Sequence, residues 1–106
     1  MSVLFGILEE ERDRLGGAIR LYSEKADKLP RGSLWVKKRG QREYAYLAYR
    51  DGGKVRFEYV APVPSRKYSE VMLQVKERKA LDISIRQMRK DLRILERTLK
   101  NANRAK

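Results

Sequence analysis

Cysteine and histidine are both missing from this sequence. Without cysteine there is no disulfide framework, no thiolate zinc site and no thiol nucleophile. Without histidine the commonest general base and the commonest metal ligand are gone as well. Carboxylates could still serve an enzyme, but no pair of them falls in the pattern of a cleft. The residues therefore predict a protein with no catalytic activity, no cofactor and no metal. Long apolar runs are lacking too: none approaches the ~20 residues that span a bilayer. The segment Met1-Ser2-Val3-Leu4-Phe5-Gly6-Ile7-Leu8 is apolar, yet it has no basic start and runs at once into Glu9-Glu10-Glu11, unlike a signal peptide. A cytoplasmic protein that does not engage a membrane is expected.

Positive charge is what the sequence has in abundance. Its 106 residues hold 26 Lys and Arg against 14 Asp and Glu, a net charge of +12. The charge is unevenly spread: −1 over residues 1–30, +5 over 31–63 and +8 over 64–106. Self-repulsion for solubility accounts for net charge alone; asymmetry of this kind suits a polyanionic partner. With 42% hydrophobic and 38% charged residues, the chain is too apolar for disorder and more charged than an average domain. One α+β domain over residues 1–106, with long surface helices, meets both conditions.

The apolar period changes twice along the chain. Leu4, Leu8, Leu15, Ile19, Tyr22, Ala26 and Leu29 recur at steps built of three and four, which predicts a helix over 3–29. Leu29-Pro30-Arg31-Gly32 stops it, because the residue before a proline leaves the α region. Gly16-Gly17 inside that helix marks a kink or a close helix contact. Over 33–61 the period falls to two, and three strands are expected: 33–38, 43–49 and 54–60. Gly40 turns the first pair and Asp51-Gly52-Gly53 turns the second, a strong hairpin signal. Pro62 and Pro64 end the sheet, since neither can donate to a ladder. A second helix is expected over 66–102, capped by Ser65, with 103–106 as a frayed tail. Its seam, Val71, Val75, Leu81, Ile85, Met88, Leu92, Leu95 and Leu99, is of heptad type. Leu29 with Val71, Tyr22 with Arg78, Leu15 with Ile85 and Leu8 with Leu92 keep a constant index sum. That predicts a three-stranded antiparallel meander inserted between two long helices that pair as an antiparallel coiled coil. Apolar seam left over at either helix end would favour a homodimer.

Two surfaces are candidates for anion binding. In the second hairpin, pairing Tyr49 with Lys54 puts Tyr44, Tyr46, Ala48, Val55, Phe57 and Tyr59 on one face. Ala45, Leu47, Tyr49, Lys54, Arg56 and Glu58 fall on the other. The aromatic face is expected to pack on the helices rather than to serve as a base-stacking platform. The basic face, joined by Lys37 or Lys38, would then be open, and Arg39, Arg42, Lys54 and Arg56 would reach phosphates or base edges in a DNA major groove. The second surface is a stripe on the long helix. Arg86, Lys90, Arg93, Arg97, Lys100 and Arg104 fall opposite its seam, and a face with only basic residues at those positions suits phosphate contact.

The stretch Leu29-Pro30-Arg31-Gly32-Ser33-Leu34, followed by Tyr44-Ala45-Tyr46-Leu47-Ala48-Tyr49-Arg50-Asp51-Gly52-Gly53-Lys54, resembles a family of short, uncharacterised basic bacterial and archaeal proteins. Their pattern is a helix, then LPxGSL, then a tyrosine-rich strand ending in YRxGGK, then a long charged helix. The sheet segment alone also resembles the three-stranded N-terminal arm-binding domains of phage-type integrases, whose sheet reads DNA. That resemblance implies a phage or mobile-element origin, with Lys37, Lys38, Arg42, Lys54 and Arg56 on groove-facing strands. The chain departs from those domains in having a helix before the sheet and no recombinase domain after it.

Two functions fit these features. One is a nucleic-acid-binding protein, for DNA rather than RNA, using Lys37, Lys38, Arg39, Arg42, Lys54 and Arg56 on the sheet and Arg86, Lys90, Arg93, Arg97 and Lys100 on the helix. The other is a protein-interaction module, such as an antitoxin or a phage-encoded inhibitor, that docks its basic surface on an acidic partner.

Overall fold

A computed structural model describes residues 2–104; of the expected frayed tail 103–106, Asn103 and Arg104 instead continue the second helix, while Ala105, Lys106 and the side chain of Arg104 lie outside the described residues. The order of elements is α1 (Val3–Asp27), β1 (Ser33–Arg39), β2 (Arg42–Asp51), β3 (Lys54–Val63) and α2 (Arg66–Arg104). The fold is α+β, two helices flanking a three-stranded antiparallel sheet of order β1-β2-β3. Both helices begin on a serine cap. The Phe5 amide donates to Ser2 Oγ at 3.2 Å, and the Tyr68 amide donates to Ser65 Oγ at 3.1 Å. Each cap satisfies one of the amides that the first helical turn leaves without a partner.

The chain divides into two compact units that share α2. The first holds α1 to Ala26 and α2 from Leu81 onward. Leu15, Ala26, Ile85 and Leu99 are buried there, and Leu8, Ile19, Tyr22, Met88, Leu92 and Leu95 are half-buried, so both expected seams are inward-facing stripes. Leu4 is the exception, at 63% exposure. Stepping back from Leu8 by three reaches Phe5, which is half-buried and takes the position that the pattern had given to Leu4. Gly16-Gly17 neither breaks α1 nor admits a close neighbour: a Cβ on either glycine would meet nothing within 4 Å.

The second unit, Asp27–Ala80, holds the sheet and the first part of α2. Its turns follow from the glycines. Asp51 pairs with Lys54 across Gly52 and Gly53, whose φ values of 58° and 85° are the double positive φ of a tight two-residue hairpin. Arg39 pairs with Arg42 across Gly40, with φ 62°. The expected Tyr49–Lys54 pairing is therefore corrected by two residues, to Tyr49–Arg56. An error of two leaves every side chain on its assigned face. The third strand also runs further than expected, through Pro62 to Val63. A proline is tolerated because β3 is an edge strand and need pair on one side only. Where α1 gives way to the sheet, Arg78 of α2 donates from Nη1 to the Leu29 carbonyl at 2.8 Å, and its Nη2 lies 4.0 Å from Asp27.

Candidate nucleic-acid interface

Register fixes which side chains share a face. Leu34, Val36 and Lys38 of β1 pair with Leu47, Ala45 and Glu43 of β2, and Leu47, Tyr49 and Asp51 pair in turn with Glu58, Arg56 and Lys54 of β3. A register shift between Ala45 and Tyr46 makes Val60 an extra residue, a β-bulge. Beyond the bulge Ala61 pairs with Ala45, so it returns to this first face although Phe57 and Tyr59 point the other way. Ala45 is fully buried and Ala61 is 3% exposed. Val71 and Val75, one turn apart on α2, are buried in the same unit. The aliphatic face is thus the covered one, and two alanines let a helix approach it closely.

The opposite face carries Trp35 and Lys37 of β1, Arg39 and Arg42 beside the first turn, Tyr44, Tyr46 and Arg50 of β2, and Val55, Phe57 and Tyr59 of β3. Trp35, Val55 and Tyr59 are each 55% exposed and Phe57 is 48% exposed. This reverses the expectation that the aromatic face packs on the helices. The physical reason is volume. The side chains buried in this unit are small, Ala45 and Ala61 of the sheet with Val71 and Val75 of α2, and the broad ring surface is left uncovered.

The rings are ordered among themselves. Trp35, Tyr46 and Tyr59 are register partners, so a row of three crosses all three strands. Tyr46 meets Tyr59 at 5.6 Å between centroids with the planes at 67°, and Trp35 meets Phe57 at 6.3 Å and 80°. Tyr44 tilts against Tyr59 at 6.2 Å. These are edge or tilted contacts, so none of these pairs is stacked flat. The Lys37 ammonium lies 4.6 Å from the Phe57 centroid and 5.2 Å from that of Tyr46, a cation–π position. Arg39 lines a shallow hollow with Tyr44, Tyr46 and Tyr59.

Charge is sorted between the faces. Lys37, Arg39, Arg42 and Arg50 lie on the open face, and none forms an ion pair among the described residues. All three sheet carboxylates, Glu43, Asp51 and Glu58, lie on the covered face, and two of them have side-chain partners there. Arg56 Nε stands 2.9 Å from Asp51, and the Tyr49 hydroxyl donates to Glu58 at 2.7 Å. That hydrogen bond is the main reason the Tyr49 phenol is raised above its ordinary pKa, with partial desolvation and the charges of Glu58 and Asp51 adding to it and Arg56 opposing.

The sheet residues singled out by sequence are therefore divided. Lys37, Arg39 and Arg42 belong to the open face; Lys38, Lys54 and Arg56 are exposed at the rim of the covered one. Arg50 and the five rings were missed as surface groups. The signal was present in the strands, where one face alternates large aromatics with bases and the other holds alanines, leucines and every acid. On α2, Arg86, Lys90, Arg93, Arg97 and Lys100 are all exposed, as expected, and are free of ion pairs among the described residues.

No group of His, Cys, Asp or Glu that could hold a metal ion occurs among the described residues, and none of their helices is long and apolar enough to cross a membrane. No curated protein and no solved structure matches the chain. A family model does match, over residues 7–69, a segment that contains the whole sheet and ends before the α2 stripe. Matched over more than half its length, the chain belongs to the family described as Domain of unknown function (DUF6788).

Proposed function

We propose that the protein binds nucleic acid, DNA in preference to RNA, without catalysis, and that the open face of the sheet is the main contact surface. One observation carries the reading: four cations and no carboxylate surround a set of exposed rings, while every acid of the sheet is turned to the other side. A polyanion is attracted to such a face, and rings beside Lys and Arg suit bases beside phosphates. The stripe from Arg86 to Lys100 adds phosphate contacts that carry no sequence information. The resemblance of the sheet to integrase arm-binding domains favours DNA. It does not transfer residue by residue, because Lys37 and Arg42 lie on one face here and Lys38, Lys54 and Arg56 on the other.

The test is a titration with nucleic acid at several salt concentrations. Non-specific affinity should fall near ~10⁻⁴–10⁻⁶ M at physiological salt and weaken steeply as salt rises. Changing Lys37, Arg39 and Arg42 together to Glu should weaken binding more than changing Lys54 and Arg56 to Glu. Changing Arg86, Lys90, Arg93 and Arg97 to Glu should weaken all sequences alike and flatten the salt dependence. Absence of binding even at low salt would reject this reading in favour of an acidic protein partner, which the same enrichment in Trp, Tyr and Arg also suits.

A further inference from the structure

We infer that the open sheet face is a stacking platform for single-stranded DNA. This rests on the nucleic-acid reading above and narrows it to one form of the ligand. In a duplex the flat faces of the bases are already stacked on one another, and a groove presents only their edges. Flat exposed rings have little to gain from edges and much to gain from unpaired bases, which offer a π-face whatever their identity. The geometry suits such a strand. Trp35, Tyr46 and Tyr59 form a row across the three strands, Phe57 and Tyr44 flank it, and none of these rings is stacked flat on another. Neighbouring strands are about 4.8 Å apart, so the row is wide enough for about two bases. Lys37, over Phe57 and Tyr46, is a flexible ammonium beside the rings and can turn to a phosphate when a base arrives.

The residue types on this face also select among single strands. None of its members is Asn, Gln, Asp or Glu, which read adenine and cytosine edges, whereas its Lys and Arg can meet phosphates or guanine edges. Ser33 and the tyrosine hydroxyls are the remaining neutral hydrogen-bonding groups of the face. The rings therefore stack on any base and make no demand for a ribose 2′-hydroxyl, so RNA gains nothing over DNA on this face.

Trp35 is the single tryptophan of the chain, so its fluorescence reports directly on the site. The experiment titrates the full chain with one short mixed-sequence DNA oligonucleotide, with the same strand annealed to its complement, and with RNA of the same sequence. The single strand should quench Trp35 and bind tighter than the duplex by about fivefold or more, the least that one stacked base contributes. The RNA should bind no tighter than the DNA strand. Tyr59→Ala and Phe57→Ala should each lose about fivefold or more for the single strand and little for the duplex. Tyr59→Phe, which keeps the ring and drops the hydroxyl, should retain single-strand affinity and guards against a folding defect. Equal or tighter duplex binding with Trp35 unquenched would overturn this inference and leave the nucleic-acid reading standing. Markedly tighter RNA binding would overturn the choice of DNA. No binding to any of the three would overturn both.

Discussion

Gly32 lies so close to the carbonyl group of Ala48 that a Cβ on the glycine would overlap the oxygen. Its φ of 108° is also one that side chains rarely adopt. The glycine of the LPxGSL stretch is thus fixed twice, by backbone conformation and by contact with the central strand that follows. Gly32→Ala should lower stability by at least about 2 kcal/mol, from strain plus displacement of β2. Urea denaturation checks this, and a change within error of wild type would refute it.

Gly16 and Gly17 are the opposite case. Both sit inside α1 with open space where a Cβ would go and without positive φ. Gly16→Ala and Gly17→Ala should each raise stability by about 1 kcal/mol, the difference in helix propensity. A fall in the denaturation midpoint for either variant would mean that the glycine has a steric role at that point.

The assignment of covered and open faces has its own test in stability. Ala45→Leu adds volume to a fully buried site and should cost about 1–3 kcal/mol. Tyr59→Ala truncates a side chain that is 55% exposed and loses its ring contacts with Tyr44 and Tyr46, so it should cost about 1–2 kcal/mol. Were the aromatic face the core, the tyrosine truncation would instead cost about 3–5 kcal/mol.

Tyr49 gives a prediction in alkali. Its phenol is raised above the ordinary tyrosine range, chiefly because its hydroxyl donates to the Glu58 carboxylate. A raised folded-state pKa favours the protonated form in the fold. The stability it contributes is fully present below the unfolded value and is lost as pH climbs through the raised folded one. The tyrosinate absorbance that disappears in Tyr49→Phe should accordingly titrate later than that of an ordinary tyrosine. Glu58→Gln, which keeps an acceptor and removes the charge, should bring it back toward the ordinary value. An unshifted titration in the wild-type chain would refute the assignment.

How much of this was legible beforehand depended on which interactions decide each feature. Local ones were readable. Ser65 as cap, Asp51-Gly52-Gly53 as a tight turn and the seam of α2 follow from chemistry within a few residues, and all stand. The exposed stripe on α2 was readable for the same reason. The choice between the two sheet faces was not local. It depended on what α2 could bring to the sheet, and on the bulge at Val60, which returns Ala61 to the side of Ala45. Counting apolar area favoured burying the four rings of the second hairpin; the fold buries two alanines of the other face and two valines of α2 instead. Leu4 failed in a smaller way, because a step of four back from Leu8 looked as good as the step of three that reaches Phe5.

The sheet ends on both sides in strands with backbone groups that no third neighbour pairs. On β1 that margin bears Lys37, Lys38 and Arg39 in succession, and on β3 it bears Pro62. Like charges repel a second copy laid alongside, and a proline withholds the amide that an added strand would need. The protein can therefore keep a wide aromatic surface in water without offering its margins as a template for fibre growth.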